Sequence, residues 1–140
     1  MSNRAFVAAI AVLAVSAVST LASAADYKRV EPLVDAGETV IGEAVRYPEG
    51  APARIESLIV TMEPGEATGW HKHGVPTYGY ILEGELTVDY GAHGTRVYKA
   101  GTAFLEAIDA WHDGRNTGAG PARVLVVFMG AEGVSNVTAK

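Results

Sequence analysis

The 140-residue chain contains no cysteine. That absence excludes thiolate metal sites, a cysteine nucleophile, disulfides and a leader processed to a lipid-bearing cysteine. Histidine is scarce, with four residues, so any search for imidazole ligands is short. Positive charge is thin as well. Eleven Lys and Arg stand against 16 Asp and Glu, for a formal net charge of −5, and no basic cluster exists. Such a chain is a poor partner for nucleic acid. No long stretch repeats apolar residues at the helical period. Any chemistry has to come from His, Asp, Glu, Tyr, Ser or Thr.

The one long uncharged apolar run lies at the start. "MSNRAFVAAIAVLAVSAVSTLASAADYKR" has Arg4, then an apolar stretch from Ala5 to Val18, then the small-x-small site Ala22-Ser23-Ala24. This pattern reads as a secretory signal peptide over residues 1–24. An N-terminal anchor is the weaker alternative, because a span needs about 20 strongly apolar residues and this run is short and alanine-rich. The expectation is an exported protein, periplasmic or secreted, with no membrane attachment after cleavage. Cleavage removes Arg4 and no acid, leaving 10 basic and 16 acidic side chains, net −6. The remaining residues are enough for one modest core. They divide into an N-terminal arm (25–36), one β-domain (37–130) and a small, polar C-terminal arm (131–140) expected to be loosely held.

Within the β-domain short extended segments alternate with turns. An extended region is expected over 39–48, then "RIESLIVTM" (54–62), "TYGYIL" (77–82), "ELTVDY" (85–90), "RVYKAG" (96–101), "TAFLEA" (102–107), "WHDGRN" (111–116) and "ARVLVVFMG" (122–130). Turn residues recur about every 8 to 12 positions. The pattern argues for an all-β sandwich or small antiparallel barrel, in which closing or stacking the sheets protects their edges.

"GWHKHGVPTYGY" (69–80) places His71 and His73 one residue apart. On a helix they would diverge. On a strand they project from one face about 6.6 Å apart, close enough to converge on one ion. Two imidazoles alone are weak evidence, and polar decoration of a loop is the competing reading; a metal site usually takes three or four protein ligands. His93 sits between glycines in "GAHGT" and is expected to face water. His112 is the natural third ligand if a barrel joins the two segments.

Residues 65–116 resemble the two motifs of the cupin superfamily, small β-barrels of the jelly-roll or double-stranded β-helix type with a metal near the middle. Gly65, His71, His73 and Gly84 match the first motif in register; Gly101, His112 and Asn116 match the second. Ala107 and Asp109 stand where the second motif has proline and glycine. Thr77 stands where the first has a metal-binding glutamate. The resemblance implies a divalent transition metal (Fe, Mn, Ni, Cu or Zn) on His71, His73 and His112. It also implies a small-molecule ligand or substrate and a homodimer joined through barrel strands. Without the glutamate the ion keeps its full charge and a more open coordination sphere, suited to anionic bidentate substrates or to dioxygen beside a chelated substrate. Three-histidine sites in this superfamily are associated with dioxygenases. A metal-free barrel is the lesser alternative, since three inward imidazoles would be costly to bury without a partner.

Glu106 is the candidate for a substitute carboxylate: a fourth ligand, an acceptor for an imidazole N–H, or a catalytic general base. The expectation for a glutamate at a strand end is nevertheless to face water. Thr77 and Gly79 share a face opposite Tyr78 and Tyr80 and are expected to leave room beside the metal, provided that Pro76 introduces no bulge. Asn116 is placed next to the site as a structural hydrogen-bonder. Trp70 and Trp111 each precede a ligand histidine and are expected to pack behind the site. Three readings compete: a metal-dependent, dioxygenase-like oxidoreductase; a non-catalytic metal or small-ligand binding module; and a metal-free interaction barrel.

Overall fold

The structure, a computed structural model, describes residues 29–140. The leader and residues 25–28 of the N-terminal arm lie outside the described residues. Residues 29–36 are exposed and form no regular element.

The domain is all β apart from one 3-10 turn, Gly91–His93. In chain order the strands are β1 (Ala53–Met62), β2 (His71–His73), β3 (Thr77–Glu83), β4 (Glu85–Asp89), β5 (Thr95–Lys99), β6 (Ala103–Leu105), β7 (Asp113–Arg115), β8 (Ala122–Ala131) and β9 (Val137–Ala139). They form a four-stranded sheet in the order β1-β8-β3-β6, a three-stranded sheet β5-β4-β7, and the pair β2-β9. Every named pairing is antiparallel, as a jelly roll requires.

Alternation along the strands decides which side chains meet. In β3, Thr77, Gly79 and Ile81 are buried while Tyr78 and Tyr80 are partly exposed. The phase expected from the sequence therefore holds straight after Pro76, and the register slips only later, between Ile81 and Glu83. Leu86 and Val88 of β4 point inward by the same rule, and they meet Met62, Ile81, Phe104 and Val124 in one core. A side chain as enclosed as Ile81 contributes about 1.5–3 kcal/mol through burial.

Three expectations are corrected. The region 39–48 is not a strand. It folds back in a turn closed by a Gly42 N–H to Thr39 C=O bond of 3.0 Å, with Gly42 at φ 87°, and only the Glu38–Ala44 bridge is extended. Val40 and Ile41 there pack against the core. The C-terminal segment is not a loose arm: β9 pairs residue by residue with β2, His71 against Ala139 and His73 against Val137. Two glycines admit it. A Cβ at Gly74 would lie 2.8 Å from the Ser135 carbonyl oxygen, and one at Gly130 would lie 2.8 Å from Asn136 Oδ1.

Gly79 is the third correction. It borders the cavity as expected, but the space of its missing side chain is taken by the Phe104 ring. A Cβ at position 79 would sit 2.5 Å from Phe104 Cζ, and that ring is stacked on Tyr98 with centroids 4.0 Å apart. Gly79→Ala is expected to cost about 1–3 kcal/mol by overpacking. Urea unfolding checks this, and a midpoint equal to that of the wild type would contradict the packing role.

Candidate metal centre

The three histidines reach one place by two routes. His71 and His73 lie on β2, with side chains on one face. His112 immediately precedes β7 and forms an isolated antiparallel bridge with His71, each N–H bonding the other residue's carbonyl at 2.9 Å. The ring centroids are 5.1 Å apart for His71–His73, 4.4 Å for His71–His112 and 5.0 Å for His73–His112. Their potential ligand nitrogens all fall within 4.8 Å of one another.

Each ring is also oriented. Nδ1 of His71 meets Gly69 O at 2.8 Å, Nδ1 of His112 meets Ala110 O at 2.9 Å, and Nδ1 of His73 meets Asn136 O at 3.2 Å. A carbonyl oxygen only accepts, so each Nδ1 carries the hydrogen and each neutral ring keeps its Nε2 lone pair free. His112 Nε2 is buried with no hydrogen-bond partner. Three free Nε2 lone pairs close together, one of them orphaned in the interior, are the donor set that a divalent transition metal takes. The residues fit the ion.

Electrostatics point the same way. Burial lowers the pKa of all three imidazoles, His73 to about 3, with the neighbouring rings adding to the effect on His71 and His73. They are therefore neutral, the form that ligates metal, through neutral pH and below it.

Glu106 is not solvated, contrary to the expectation for a strand-end carboxylate. It is 7% exposed, with Oε1 accepting from Ala107 N–H at 2.9 Å and Oε2 4.0 Å from His112 Nε2. Desolvation raises its pKa above the usual carboxylate value. It does not accept from an imidazole N–H, since all three Nδ1 groups are already satisfied by backbone carbonyls.

The other expected neighbours divide. Thr77 is buried on the cavity wall, its hydroxyl donating to Val75 O at 3.0 Å. Asn116 does not border the cavity. It is fully buried elsewhere and ties a turn together, donating to Met62 O and Gly120 O and accepting from Gly118 N–H. His93 is exposed in its turn. The tryptophans do not pack behind the site; Trp70 instead borders the cavity. Trp70 is 38% exposed and Trp111 half-buried, with Lys140 Nζ 5.6 and 5.9 Å from the two rings and Lys72 Nζ 5.5 Å from Trp111. Lys72 is held in turn by Asp109 at 2.7 Å. Asp109 has φ 57°, the left-handed conformation favoured by the glycine that it replaces in the motif.

Sequence reasoning missed the contribution of the C-terminal segment. Asn136 supplies the carbonyl that orients His73, and its side-chain amide donates to Glu56 Oε2 on β1 at 2.8 Å. A polar ten-residue tail carries no sign of this in its composition. The cavity above the histidines measures about 760 Å³. Leu58, Val60 and Met62 of β1 and Val124, Val126 and Phe128 of β8 form its apolar walls.

The family model described as "Cupin domain" matches residues 58–128, just over half of the chain. The chain belongs to the cupin domain family. Cupin structures similar to it include the Lactobacillus farciminis oxalate decarboxylase formate complex, at 26% identity and a TM-score of 0.52, covering 61% of this chain and 26% of that one. An oxalate oxidase matches at 25% identity and a TM-score of 0.52, covering 61% of this cupin and 45% of that chain. A tryptophan-to-tyrosine variant of the Bacillus subtilis oxalate decarboxylase matches at 26% and a TM-score of 0.51, covering 61% and 23%. The cupin thus spans less than half of each of these chains. No curated protein is similar enough in sequence to count as a match.

The pKa directions set a pH dependence. Between the lowered folded values and the ordinary 6.5, the unfolded chain binds more protons at the three histidines than the folded one, so stability rises with pH there. Glu106 opposes this: with its folded value raised above 4.5, the folded state binds the extra proton and stability falls as pH rises through that window. His73, held at about 3, stays neutral across the whole window, so metal-free protein is expected to lose more stability on acidification from pH 6.5 towards 4.5 than a variant without this imidazole. Urea midpoints for the metal-free protein and for His73→Gln at about pH 7 and about pH 5 test this. His73→Gln should flatten the dependence.

Proposed function

We propose that this cupin is an exported, metal-dependent oxidoreductase of dioxygenase-like chemistry acting on a small chelating substrate. The observation that carries the reading is the set of three convergent Nε2 lone pairs, each fixed by a backbone carbonyl on its own Nδ1–H. A divalent metal on His71, His73 and His112 supplies Lewis-acid and redox chemistry at the floor of the cavity. The chain's own part is to hold three neutral donors without rearrangement, to exclude bulk water with apolar walls, and to leave space for a ligand.

Support for redox chemistry comes from the structural likeness to an oxalate oxidase and to oxalate decarboxylases. The walls suit a different shape of substrate. Lys140 is the one cationic side chain bordering the cavity among the described residues, and the volume far exceeds that of a two-carbon dicarboxylate. A chelating head with an apolar body fits better. The alternative function is a non-catalytic module that holds metal or a small ligand, favoured by the largely apolar walls around the histidines.

Purified mature protein is expected to carry about one divalent ion per chain. His112→Ala should lower metal affinity at least about tenfold, and His93→Ala should leave it unchanged. Elemental analysis and chelator competition measure both; equal effects of the two substitutions would falsify the ligand assignment. Oxygen uptake across diketones, catechols and thiols separates the enzyme from the binding module, for which all three should be silent.

A homodimer is also proposed. β1 is an edge strand with Ile55 and Ile59 exposed on the face away from the cavity, an arrangement that invites pairing with a second copy. Light scattering should give twice the chain mass, and Ile59→Lys should shift it to the monomer.

A further inference from the structure

Thr77 brings no charge to the three imidazoles, but a carboxylate reaches the same face from the adjacent strand. The β3–β6 register pairs Tyr78 with Leu105 and Gly79 with Phe104. The Glu106 N–H to Thr77 C=O bond of 2.8 Å carries it one step further, setting Glu106 directly across from Thr77. Opposed residues of an antiparallel pair share a face, with Cβ atoms about 4.5–5.5 Å apart. Thr77 is short, and its hydroxyl turns back to Val75 O, so the space before it is left to its neighbour.

Glu106 is buried, and among the described residues no Lys or Arg lies within ion-pair distance of it. The basic group nearest its free oxygen is His112, whose Nε2 lies 4.0 Å from Oε2 and has no other partner, and His71 stands close enough to interact as well. A carboxylate without a cation and an imidazole nitrogen without a donor are both costly to bury. A divalent ion between them satisfies both. Ligand bonds of about 2.0–2.2 Å place two atoms on one ion up to about 4.2 Å apart, which admits the Glu106–His112 separation; the atoms already within 4.8 Å of one another are those of the three histidines alone, so ligation requires the Glu106 side chain to turn further toward His71 and His73.

We propose that Glu106 is the fourth protein ligand of the centre, supplied from the end of β6 in place of Thr77 on β3, and that Tyr90 is a positioning residue for it. Ala107 N–H holds Oε1 at 2.9 Å and leaves Oε2 for the ion. Tyr90, almost wholly buried, stands beside the carboxylate, and its hydroxyl is hydrogen-bonded to that of Tyr98 at 3.1 Å. The proposal rests on the histidine triad binding metal.

The test is cobalt(II) titration of stripped mature protein, reading affinity by chelator competition and ligand set by the visible d–d bands. Glu106→Gln should bind at least about tenfold more weakly with altered bands. The pair Thr77→Glu with Glu106→Gln, which returns the carboxylate across the ladder, should recover affinity over Glu106→Gln alone. Tyr90→Phe should weaken binding less than Glu106→Gln while keeping a carboxylate ligand. Should Glu106→Gln fail to fold, the infrared difference spectrum of wild-type protein on cobalt loading decides: a shifted carboxylate stretch supports the ligand, and none overturns it. Wild-type affinity and bands in a folded Glu106→Gln, with His112→Ala defective, overturn this inference and leave the triad standing. No cobalt uptake by the wild type removes both.

Discussion

Three backbone carbonyls hold the site together. Gly69, Ala110 and Asn136 each take the Nδ1 hydrogen of one imidazole, and this fixes both the tautomer and the direction of the remaining lone pair. Without that constraint three adjacent rings would turn to satisfy one another. With it, they leave His112 Nε2 unpartnered in the interior, a penalty of about 1–3 kcal/mol that a bound electrophile relieves. The fold thus stores its unsatisfied donors at one point, and the cavity opens over that point.

Two of the locks are local and alike. Gly69-Trp70-His71 and Ala110-Trp111-His112 both return the ring to the carbonyl two residues back, and both leave the intervening tryptophan partly exposed. The two segments then bond to each other across the His71–His112 bridge, so the histidines meet because their backbones pair. Tryptophan exposure follows from this alternation, with the cationic side chains of Lys72 and Lys140 standing over the rings. The third lock is remote: Asn136 reaches His73 from the bend just before β9, a segment that the small residues Gly74 and Gly130 let in.

Much of this was legible in residue order. Alternation in "TYGYIL" gave the inward phase of Thr77 and Gly79, and His-x-His on a strand gave a shared face for two ligands. What stayed hidden depended on neighbours that sequence does not name. Glutamate at 106 looked like a strand end bound for water, because only the ladder to Thr77 and the closed barrel bury it. Gly79 looked like space for a ligand, whereas the stacked Phe104 and Tyr98 occupy that space. Asn116, near the ligands in sequence, hydrogen-bonds a turn outside the cavity.

Local covalent order by itself determined the strand periods, the cupin motif spacing and the shared face of His71 and His73, because alternation acts within a few residues. Tertiary structure decided which carboxylate stands beside them, which carbonyl orients His73 and how large the cavity is. Those features arise where segments remote in the chain, 63 residues apart for His73 and Asn136, are brought into register. Register is a property of the closed barrel rather than of any one stretch.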